Sequence, residues 1–179
     1  MYKGRLGFYE EALDTDRKCY PYLLKKLGED DYVTLETQRD MAFHLRSLKR
    51  YPEALEIDHK VYEIRKKSLG KDHRIALSDL DDRGTDYVCM RPYEDSFKVV
   101  KESYEMRKKA FGEEDRDTIT IHIYLALNYI LFKSFQAAYE VDKENFEIQK
   151  RIYGEDSSMG KATLYRRKIE KEKGALKDK

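Results

Sequence analysis

The chain has no tryptophan, only two cysteines, almost no net charge and no long apolar run. Cys19 and Cys89 make no CxxC pair and show no metal-ligand spacing. They fit a reducing cytoplasm, where each is expected as a small buried or half-buried hydrophobe. No stretch approaches the roughly 18 apolar residues of a membrane span, and no signal peptide follows Met1. A formal net charge of +1 gives no global case for nucleic acid. P-loop, GxGxxG, GxSxG and HExxH are all missing, so no enzyme motif stands and no cofactor is implied. His44, His59, His73 and His122 lack the i, i+4 partners that metal ligation needs. Their spacing suggests surface or helix-end positions.

What the chain does have is a register. Gly28, Gly70, Gly112 and Gly154 recur every 42 residues, each after an apolar residue and before an acid-rich turn: GEDD, GKDH, GEED and GEDS. A fixed period of this size marks stacked repeats. Other positions keep step. An aromatic recurs as Tyr9, Tyr51, Tyr93 and Phe135, and a small residue follows as Ala12, Ala54, Ser96 and Ala138. A second aromatic recurs as Tyr20, Tyr62, Tyr104 and Phe146. This spacing predicts an amphipathic helix that ends at the glycine, where positive φ is available. A second set of helices is predicted over about 32–48, 74–90 and 116–132, with Ala42, Gly84 and Ala126 as small residues for close helix crossings. Short connections make each pair an antiparallel hairpin. The missing tryptophan and the absence of strand alternation exclude WD40 blades, which share a period near this length.

Small-then-large residues in the first helix, followed by aromatic-x-x-small-large in the second, resemble tetratricopeptide repeats. The usual 34-residue unit is lengthened here by eight, roughly one more turn per helix. The apolar-Gly-x-Asp-His turn, seen best at Leu69 to His73, resembles the long repeats of kinesin light chains and of those trailing bacterial signalling NTPases. Arg74 replaces the proline common after that histidine. The resemblance implies an all-α, right-handed superhelical solenoid of antiparallel helix pairs. One domain over 1–179 is expected: a half repeat at about 1–28, repeats at 29–70, 71–112 and 113–154, and a basic capping helix at 155–179. Residues Arg5 to Tyr9 read as the end of one helix and the start of the next. The last 20 residues carry eight Lys/Arg against three Asp/Glu.

Repeat arrays are usually binding surfaces, and in this family the first helices line the concave side. That face is expected to hold Arg39, Asp40, Phe43 and Arg46, then Asp81 and Asp82, then Ile123, Tyr124, Leu127, Ile130 and Leu131. Kinesin light chains often carry Asn pairs where Arg39-Asp40, Asp81-Asp82 and Ile123-Tyr124 stand, which argues against that particular peptide clamp. ITIHIYLALNYILF, residues 119–132, is apolar nearly all round and is either buried or a contact surface. Its Ile119, His122, Ala126 and Tyr129 form the stripe expected to pack on the following helix. Asp16, Asp58 and Asp142 recur on the apolar stripe of the second helices, where Val100 takes the fourth place. Each must find a donor inside the stack. The function implied is a cytoplasmic protein–protein adaptor that receives a peptide or helix in its groove. A self-associating homodimer scaffold and a nucleic-acid regulator using the basic end are the alternatives. No membrane contact is expected.

Overall fold

The computed structural model describes residues 2–91 and 93–154. The basic cap expected at 155–179 lies outside them. The described elements are α1 (Tyr2–Leu27), α2 (Tyr32–Ser47), α3 (Tyr51–Leu69), α4 (Arg74–Met90), α5 (Tyr93–Phe111), α6 (Arg116–Leu131) and α7 (Phe135–Tyr153), with no strand among them. The all-helical class and the three first helices stand where the register put them.

The register also explains the turns. Gly28, Gly70, Gly112 and Gly154 all have positive φ, between 79° and 97°. Three residues after the first three glycines comes a helix N-cap. Asp31 accepts from the Val33 and Thr34 amides at 2.8 and 3.4 Å. Asp115 accepts from those of Asp117 and Thr118 at 3.1 and 3.2 Å. His73 Nδ1 accepts from Ile75 at 3.3 Å. The recurring acidic turn is thus a helix-start device that satisfies otherwise orphaned amides. Short turns inside the hairpins place Lys49, Arg91 and Lys133, again 42 apart, at φ 63°, 73° and 58°.

Gly7 holds the equivalent place in α1, yet α1 runs unbroken through it. The break expected at Arg5 to Tyr9 is therefore absent. In the other copies the turn closes by backbone bonds to a preceding helix, such as Arg50 N to Leu45 O at 2.8 Å. At Gly7 the backbone keeps helical bonding instead of this turn closure.

The backbone packs into two compact units, divided between residues 92 and 93, where sequence suggests one domain. In the first, Leu13, Ala42, Leu45 and Ala54 form an apolar cluster flanked by Met41, Leu48 and Ile57. In the second, Val100, Tyr104, Ile121 and Leu125 cluster with Phe97 and Tyr129. Ala42, Ala54, Ala126 and Ala138 have no exposed surface, as their small size demanded, and Gly84 is also buried. The two cysteines depart from expectation: both are exposed. Cys19 is exposed at the register position where Val61 and Ser103 are fully buried.

Candidate interaction face

In the first unit the charged residues expected on the groove do not stand free. Arg39 of α2 reaches α4, with Nη2 2.9 Å from Asp82 and Nε 3.0 Å from Asp79. Its Nη1 also approaches Glu36 at 3.4 Å. Burial works against the Arg39 charge, but Asp82, Asp79 and Glu36 more than restore it and its pKa is raised. Arg46 spans α3 and α4: Nη2 meets Asp58 at 2.5 Å and Nε meets Asp86 at 2.6 Å. Arg65 of α3 is buried against Asp79 at 2.9 Å and Glu36 at 2.5 Å. Asp79 is pushed up to about 6 by burial, against the pull of Arg65 and Arg39. These groups form one lattice tying α2, α3 and α4. Arg39, Arg46 and Asp82 are brought together; Asp81 is half-buried, and Asp40 and Phe43 are exposed beside them. Phe43 stands edge-on to Tyr9 at 6.1 Å.

The structural reading of the repeated aspartates holds for the first unit. Asp58 finds Arg46, and Asp16 lies 3.0 Å from His44 Nδ1. Asp142 is fully buried.

In the second unit the equivalent first-helix positions are apolar. Tyr124, Leu127 and Leu131 are 47%, 38% and 38% exposed, while Ile123 and Ile130 are half-buried. Spacings of three, four and seven residues put the first three on one side of α6. The opposite side is sealed. Ile119, Ile121, His122, Leu125 and Ala126 are buried. Asn128, also buried, accepts from Ser96 Oγ of α5 at 2.8 Å and donates to the Tyr124 carbonyl at 2.9 Å. That pin holds the exposed ridge in place on a rigid element.

His122 is neither at the surface nor at a helix end. Its ring stacks on Tyr104 at 4.1 Å, and Nδ1 lies 3.0 Å from Asn145 Oδ1. Burial first, and Lys108 in addition, lower its pKa to about 4 despite the Asn145 bond. The stripe reading was right for this residue and the spacing argument was not. Sequence reasoning also missed Arg65 and Arg107, both 1% exposed. Their 42-residue separation was the available signal. Asp79 and Asp86 had none, since their counterparts Ile121 and Asn128 differ in kind.

Among the described residues no helix is long and apolar enough to cross a membrane. A tetratricopeptide repeat family model matches residues 33–109. No curated protein matches the sequence. Solved structures match the fold. A point-substituted form of a Podosopora anserina protein described as a kinesin light chain with nearly identical TPR-like repeats aligns at TM-score 0.84 and 17% identity, over 96% of this chain and 81% of that one. The form without that substitution aligns at 0.83 and 17%, over 96% and 82%. BtubC (BKLC) from P. vanneervenii aligns at 0.82 and 12%, over 97% and 69%. The chain therefore shares the tetratricopeptide-like helical-repeat fold of these structures, a fold that generally mediates protein–protein contact.

Proposed function

We propose that this chain is a non-catalytic adaptor, and that the exposed ridge of α6 receives an apolar helix or extended segment of another protein. The observation behind this is the contrast between repeats. Arg39, Asp82 and Arg46 are satisfied within the chain, so they offer little to a partner. Tyr124, Leu127 and Leu131 have apolar area still in water on a helix whose other side is packed. Large apolar side chains on one exposed face gain by burial, and Tyr anchors are frequent hot spots. Ile123 and Ile130 flank the ridge, and Asp40 and Phe43 remain accessible in the first unit for a secondary contact. The two exposed thiols accord with a reducing cytoplasm.

The test is a photo-crosslinking side chain in place of Tyr124, activated in the native cell. The expected adduct is an apolar segment of a different protein, and the same segment should bind as a synthetic peptide. Adducts confined to a second copy would assign the face to a homodimer instead. Adducts spread over many unrelated polar surfaces would contradict the reading.

A further inference from the structure

The buried carboxyls Asp58 of α3 and Asp86 of α4 share a single guanidinium. Asp58 is 2% exposed and Asp86 not at all. Arg46 has one nitrogen on each, Nη2 on Asp58 and Nε on Asp86. One Asp86 oxygen is thereby served. The other, Oδ2, is buried and has no donor from any nitrogen or hydroxyl of the described residues. A buried carboxylate oxygen without a donor is costly, and two buried carboxylates cannot both ionise cheaply against one cation. The two carboxyls thus sit on neighbouring nitrogens of one guanidinium, and a hydrogen bond with Asp86 is one of the causes that raise the Asp58 pKa.

We propose that the folded first unit holds one proton in this pair, carried on the Asp58 carboxyl and donated to Asp86 Oδ2, and that the stability of this unit is therefore set by pH.

The surroundings favour a neutral pair. From α2 Arg46 faces Asp58. From α4 come Asp86 and Asp82, both adding negative charge. Arg83 of α4 is turned onto the Tyr62 ring at 5.0 Å, one helical turn from Asp58. Cys89 lies near Asp86 and Arg46, and burial pushes its thiol up, so it adds no charge near neutrality. Burial, then the Asp86 bond, push Asp58 up to about 9 against the pull of Arg46. In the unfolded chain the same carboxyl ionises near about 3.9. Between those values the folded state holds a proton the unfolded state has lost. Stability from this pair is thus full in acid and falls as pH rises toward 9, by up to about tenfold in the folding equilibrium per pH unit. Asp79 behaves alike only up to about 6, and the raised Cys89 thiol adds a similar slope only above about 8, so the window from pH ~6.5 to ~8 isolates the pair. The copy one repeat later has Val100 and Asn128 at these places, where no such proton is possible.

The experiment is denaturant unfolding of the full chain from pH ~6.5 to ~8, wild type against Asp58→Asn. The amide has the protonated carboxyl's shape: its NH2 donates to Asp86 and its oxygen accepts from Arg46. The variant should fold, match or exceed wild type at pH ~8, and lose roughly tenfold less per pH unit. Wild type at neutral pH should also show the infrared carbonyl band of a protonated carboxyl, absent in Asp58→Asn. Equal pH slopes in the two proteins, an unfolded Asp58→Asn, or no such band in wild type would each overturn the proposal.

Discussion

Gly70 shows how much one residue settles. Its φ of 94° and ψ of 150° lie in a region open in practice only to glycine. A Cβ added there would meet nothing within 4 Å. Crowding therefore contributes nothing, and backbone strain is the whole cost of a substitution. Gly70→Ala is expected to lower stability by about 1 to 3 kcal/mol, read as a fall in the unfolding midpoint. The positive φ was legible in the sequence because four glycines shared one register. The fate of polar residues was legible only where their type repeated. Asp58 was visible as one of three recurring aspartates. Its bonding to Asp86 was not, because one hairpin spends these positions on a charge lattice and the next on Val100 and Asn128.

Helices follow their ends more than their middles. Glycine, two residues, then a side-chain cap set where α2, α4 and α6 begin, which is why their limits could be read from sequence to within about one residue, finer than the usual disagreement between assignments. α1 escaped because the glycine at Gly7 reads as a turn signal, while the backbone there stays helical from Tyr2 to Leu27. α1 also carries Pro21 in its interior, where the other copies hold Glu63, Glu105 and Glu147. An interior proline forfeits a backbone bond and clashes with the turn before it. Replacing it frees the unfolded chain somewhat, which offsets part of the gain. Pro21→Glu should stabilise the protein by roughly 2 kcal/mol, with hydrogen-exchange protection rising in α1. No change in α1 protection would mean the helix is already relaxed around the ring.

At the scale of the whole molecule the two units answer pH in opposite senses. In the first, Asp58 and Asp79 have raised pKa values, so the stability they add is greatest in acid and drains away as pH rises through about 6 and then about 9. In the second, His122 is held neutral with its pKa lowered to about 4. The unfolded histidine takes up a proton below about 6.5, so the stability of this unit is intact above that value and falls as pH drops toward about 4. Amide exchange corrected for intrinsic rates should show α3 better protected at pH ~5 than at pH ~8, and α6 the reverse. The repeat architecture was legible because each unit restates the same instructions. The binding face was legible only as a change of composition at 119–132, and the structure separates that run into a sealed side and an exposed ridge.

The central claim is that this ridge binds, and Leu127 tests it most directly. Leu127 is 38% exposed and its removal from the ridge leaves the α5–α6 core intact. A carboxylate there would have to be desolvated in any apolar complex. The measurement is titration of the segment captured at Tyr124 against wild type and Leu127→Asp, alongside their unfolding midpoints. The account predicts an affinity at least about tenfold weaker, or about 1.4 kcal/mol, at an unchanged midpoint. Equal affinity in two equally stable proteins would contradict it.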